Sequence, residues 1–190
     1  NCYTILNPLD EPCRDAFYLP PVAPGMTAQE PGVTLQAVTL ADGQAATAVY
    51  GLERPALGAA VLHLVPGKAD APASPFVYTG RKLTTPLLEA ELDEAGRITS
   101  LITRADGMQW ADGPMNALLL AEDVSAGWDG WDIDADCLMK LRPAGQLTGQ
   151  EVTVNGSHEF RLHSRYELGT ATVVEQDMIF RAESTLVEWQ

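Results

Sequence analysis

Histidine and cysteine are scarce in this chain, three of each among 190 residues, and their spacing excludes most metal chemistry. A catalytic zinc needs three converging protein ligands. His63 lies in an apolar run, and His158 and His163, five apart, fall on opposite faces of a regular strand. Cys2, Cys13 and Cys137 are odd in number and irregular in spacing, so they spell neither a disulfide framework nor a zinc knuckle. Cys2 and Cys13 could pair if the first strands lie together; a reduced, buried thiol is the alternative. Basic residues are also few, 12 against 26 acidic, for a net charge of −14. No basic stripe exists to meet phosphates, which argues against nucleic acid or an anionic bilayer as partner. No apolar run approaches the ~20 residues needed to span a membrane. A neutral glycan meets none of this repulsion.

A helical period is missing as well. The pattern predicts strands almost throughout and an all-β fold. Val33, Leu35, Ala37 and Thr39 read as one face of a strand over 33–40; Leu88, Ala90 and Leu92 alternate with Glu89 and Glu91; Phe160, Leu162, Ser164, Tyr166 and Leu168 alternate with Arg161, His163, Arg165 and Glu167. Each should have one wet side. Further strands are expected at 46–50, 59–65, 97–103, 151–154, 172–180 and 184–189, set apart by turn signals such as Asp106-Gly107 and Asn155-Gly156. The stretch 66–75 holds three prolines and no apolar period, and reads as a linker. The expected layout is a small antiparallel β-sandwich over 1–65, the linker, and over 76–190 the N-terminal part of a larger β-sandwich. Trp189-Gln190 follows directly on a strand, so the second sandwich is expected to continue beyond this fragment, and an edge strand exposed there could pair with another copy.

The densest chemistry lies in Trp128-Asp129-Gly130-Trp131-Asp132-Ile133-Asp134. Tryptophan offers a flat apolar face and aspartate short acceptors, a pairing that suits a sugar ring; the alternative is a Trp-rich corner whose aspartates cap turns. Asp132, Asp134 and Asp136 open like a calcium loop, but Cys137 stands where its glycine is required and the closing glutamate is missing. Asp129 and Asp132 could reach the ~5 Å separation of a retaining glycosidase pair only in a turn.

The order of motifs adds to this. Gly96-Arg97-Ile98-Thr99-Ser100-Leu101 is followed by Asn116-Ala117-Leu118-Leu119-Leu120-Ala121-Glu122-Asp123 and then by the Trp-Asp segment. That series resembles the C-terminal β region of glycoside hydrolase family 38, the zinc-dependent retaining α-mannosidases of bacterial and cytosolic type. Asn7-Pro8-Leu9 with Arg14, Arg54-Pro55-Ala56-Leu57-Gly58, and the closing run from Thr172 to Trp189 resemble the same region more loosely.

The resemblance implies a large sandwich of the galactose-mutarotase type and a cytoplasmic protein whose native N-terminus precedes Asn1. It places the nucleophilic aspartate and the zinc ligands in an N-terminal catalytic domain, so that no catalytic residue, metal ligand or cofactor is expected here and zinc belongs to the full-length parent. The α-mannoside or glycan would be engaged through that domain. Trp128, Asp129, Trp131 and Asp132 would then either line the rim of the mannose pocket as substrate-binding residues or brace a domain interface. Two other readings compete: a stand-alone carbohydrate-binding module using Trp131, and a mutarotase-like enzyme with His163 and Glu167 as its proton-shuttling pair.

Overall fold

The computed structural model describes residues 1–67, 72–124, 127, 133 and 135–190. In chain order the strands are β1 (Cys2–Asn7), β2 (Phe17–Leu19), β3 (Met26–Ala28), β4 (Thr34–Thr39), β5 (Ala45–Tyr50), β6 (Gly58–Pro66), β7 (Val77–Tyr78), β8 (Lys82–Thr84), β9 (Leu88–Leu92), β10 (Ile98–Thr103) and β11 (Leu119–Leu120). A single turn of helix, α1 (Cys137–Lys140), precedes β12 (Arg142–Pro143), β13 (Gln146–Asn155), β14 (Glu159–Leu168), β15 (Thr172–Arg181) and β16 (Val187–Trp189). The fold is all-β and of sandwich type. It forms two compact units, one of residues 1–76, 152–162 and 177–190, the other of 77–151 and 163–176.

In the first unit, the sheet ordered β1-β6-β3 faces the sheet ordered β2-β5-β4. Leu62 and Leu64 of β6 meet Leu19, Val33, Val49 and Leu52, with Tyr3, Ile5, Phe17 and Leu35 around them. Full burial of each such aliphatic side chain stabilises the fold by about 1.5–3 kcal/mol. The second sheet is covered on its other face too, where Val38, Ala46 and Ala48 pack with Val154 of β13 and the rings of Tyr18 and Tyr50.

That double cover corrects the expectation of one wet side. Val33 and Leu35 of the expected face do pack in the core, but Gln36 and Val38 on the opposite face of β4 are buried as well, and Ala37 is exposed. In β14, Arg161 is as buried as Phe160 and Leu162 beside it. A strand between two layers has no wet face to give its polar residues.

The second unit contains the sheet ordered β10-β9-β8-β7. The alternation predicted for β9 holds: Leu88, Ala90 and Leu92 are buried, and Glu89 and Glu91 both ion-pair with Lys82 of β8. The β9–β10 turn is closed by Asp93, whose Oδ1 accepts from the backbone N–H of Ala95 and Arg97 at 2.9 and 3.0 Å. Gly96 sits there at φ +75°, and a Cβ on it would stand 2.8 Å from the Tyr166 hydroxyl. Two constraints, backbone and space, therefore demand glycine. The three cysteines are free, so Cys2 and Cys13 do not pair.

Candidate functional site

The site predicted from sequence, Trp128, Asp129, Trp131 and Asp132, lies outside the described residues, as does Asp134. Next to it, Cys137 begins α1 and Asp136 forms an ion pair with Lys140 at 2.8 Å. His163 is half-buried and Glu167 exposed on β14. His63 lies in the apolar run of β6 as expected, is exposed there, and has its Nδ1 2.7 Å from Glu30.

The structure instead concentrates polar chemistry in the first unit, around Glu159. Gly156 lets the chain approach Gln36 so closely that a Cβ there would overlap the Gln36 amide. The amide oxygen accepts from the backbone N–H of His158 and Glu159 at 2.9 and 3.2 Å, and its nitrogen donates to the Glu159 carbonyl at 3.0 Å. So anchored, the carboxylate of Glu159 is fully buried (0% exposed). Its Oε2 accepts from the hydroxyls of Tyr18 and Tyr50 at 3.0 and 2.9 Å, and its Oε1 accepts from Arg161 Nε at 2.5 Å. Arg161, also 0% exposed, donates onward to Asp177 at 3.1 Å and lies over the Tyr18 ring, 5.2 Å from its centroid. Arg181 completes the set, donating to Glu188 at 2.7 Å and to the Tyr18 oxygen at 3.0 Å.

Burial and the Glu159 charge push both tyrosines above the ordinary phenol range, so both remain protonated donors. Burial works against the Arg181 charge but is outweighed by its bonds to Glu188 and Tyr18, which hold its pKa up. Burial likewise opposes ionisation of Glu188, and hydrogen bonds from Arg181 and Gln190 prevail to pull its pKa down. Arg181 and Glu188 thus stand as a charged pair, and the carboxylates of Glu159 and Asp177 accept their bonds inside the fold. This makes it a brace.

Above the brace opens a cavity of about 550 Å³ within the same unit. Tyr50 and His158 stack there, ring centroids 4.6 Å apart and planes 18° from parallel. Arg14 and Asp15 reach it on a segment held by Arg54, which donates to the Asp15 carbonyl at 2.8 Å and packs over Phe17. Glu183 and Ser184 reach it from the β15–β16 turn. Of these positions, sequence had singled out Arg14, in a loose family resemblance, and His158, as a histidine with no metal partner, but none as part of a cavity. The one legible signal was the apolar run Met178-Ile179-Phe180, which has no alternation and so implies burial on both faces, next to the charges of Asp177 and Arg181.

In the second unit a smaller cavity, about 120 Å³, is lined by Arg97, Asn116, Leu118 and Tyr166 among others. Two of the ordered sequence motifs therefore meet in space. Asn116 adopts φ +61° and donates to Gln176 at 2.6 Å. Among the described residues, no three His, Cys, Asp or Glu side chains are grouped to hold a metal ion.

Comparison with known families matches residues 83–190 to the family described as the glycosyl hydrolases family 38 C-terminal domain. No curated protein matches the chain.

Proposed function

This chain belongs to glycosyl hydrolase family 38 through its C-terminal domain, and on that premise we propose that it is the non-catalytic β portion of a zinc-dependent, retaining α-mannosidase acting in the cytoplasm. The family match over 83–190 carries the reading. The described residues do not fit a zinc ion, since no three ligand-type side chains converge, so the proposal assigns zinc to the parent's catalytic domain and derives no step through it here. The substrate is an α-mannoside, free or within a glycan. The part reserved for this chain is substrate positioning, with Trp128, Asp129, Trp131 and Asp132 at the rim of the sugar cleft. Hydroxyl contacts that strengthen as the sugar ring distorts supply several kcal/mol to glycoside cleavage, so a side chain that breaks no bond still governs turnover.

The test uses an aryl α-mannoside with the chain alone and with the full-length parent. The expected result is no hydrolysis by the chain alone, and hydrolysis by the parent with retained anomeric configuration and loss on zinc chelation. In the parent, Asp129→Ala or Asp132→Ala should lower activity while zinc content stays normal. Turnover by the isolated chain, or a parent that cleaves other glycosides and spares mannosides, would overturn the reading.

A further inference from the structure

The 550 Å³ cavity of the first unit plays no part in that proposal, and six of its residues, Arg14, Asp15, Ala16, Tyr18, Tyr50 and Gly51, fall outside the matched segment 83–190. We propose that it is a binding site for a neutral sugar ring, separate from the Trp-Asp segment. Its volume lies in the range of small-ligand pockets, roughly 300–1,000 Å³.

Charge selects the class of ligand. Guanidinium groups of Arg14 and Arg181 share the walls with the carboxylates of Asp15, Glu183 and Glu188. An anion would face those carboxylates and an organic cation would face the guanidiniums. A polyhydroxylated neutral molecule uses both, because every hydroxyl donates and accepts. The stacked Tyr50–His158 pair supplies a flat wall that favours the C–H face of a ring over an open-chain polyol.

The site is also built in advance. The Tyr50 hydroxyl is fixed on Glu159 at 2.9 Å, His158 Nε2 lies 2.8 Å from the Thr34 hydroxyl, and Arg181 is held by Glu188 and Tyr18. Side chains already ordered by the brace lose little entropy on binding. Arg14, Asp15 and Glu183 are exposed and lie outside the brace, with Arg14 steadied by one bond from its guanidinium to the Gly51 carbonyl at 3.3 Å, so their remaining polar atoms face solvent or a ligand.

The experiment is saturation-transfer NMR and calorimetry on the 190-residue chain, titrated with methyl α-mannoside, methyl α-glucoside and methyl β-galactoside, with glucosamine and glucuronate as charged counterparts. At least one neutral glycoside should bind with millimolar affinity. Glu183→Ala and Arg14→Ala should each weaken it roughly tenfold, with the thermal midpoint unchanged because both side chains are exposed. The proposal fails if no neutral glycoside binds, if the charged sugars bind instead, or if both substitutions leave the affinity intact. It needs no mannosidase activity, so its failure and that of the preceding proposal are separately visible.

Discussion

In the β9–β10 hairpin, chemistry and position agree: Leu88, Ala90 and Leu92 are buried while Glu89 and Glu91 stay at the surface with Lys82. At the start of β14, Glu159, Phe160, Arg161 and Leu162 are all buried regardless of chemistry. Both stretches alternate apolar and charged residues in sequence. They differ in whether the charged face has a layer over it. Where it has none, ion pairs are exposed, screened and weak. Where it has one, each charge must find a partner inside, and removal of a partner leaves an uncompensated buried ion.

The sharpest way to break this contrast is Arg161→Leu, which takes the buried guanidinium away from Glu159 and Asp177. It should cost about 3–5 kcal/mol, read as a lower midpoint in urea unfolding; a near-neutral result would mean that burial under a second layer does not make these side chains depend on Arg161. Tyr50→Phe removes one hydrogen bond to the same carboxylate and should cost about 1.5–3 kcal/mol. In the hairpin, Gly96→Ala adds positive-φ strain and a clash with Tyr166, for about 1–3 kcal/mol by the same measurement.

Acid titration sharpens the comparison further. Asp93 of the hairpin turn and Glu188 of the brace both have lowered pKa values: burial opposes ionisation in each, and bonds from Arg97, or from Arg181 and Gln190, outweigh it. Their stabilisation is complete above the ordinary carboxylate range and is lost as pH falls through the lower folded values. Urea unfolding between about pH 6 and pH 3 should show that loss, and Asp93→Asn should flatten part of it. The smallest effect belongs to Lys82→Ala on β8 beside the hairpin, a barely lowered midpoint that salt reduces further.

Much of the fold was legible locally. The strands expected at 33–40, 46–50, 59–65, 97–103 and 172–180 correspond to β4, β5, β6, β10 and β15, because alternation and turn residues act over a few positions. The short β2, β3, β7 and β8 escaped, being two or three residues each and too brief to show a period. The family motifs were legible as well, and the structure adds that Arg97 and Asn116–Leu118 border one small cavity.

Sequence by itself determined the β class, the acidic surface and the kinship carried by the ordered motifs, since each depends on residue type and short spacing. Only tertiary structure decided which alternating strands are covered twice, that Tyr18 and Tyr50 meet Glu159 more than a hundred positions away, and that a cavity opens above them. Those outcomes depend on which chain segments stack face to face. Burial by a remote layer, rather than any local preference, turns a surface arginine pattern into an internal brace.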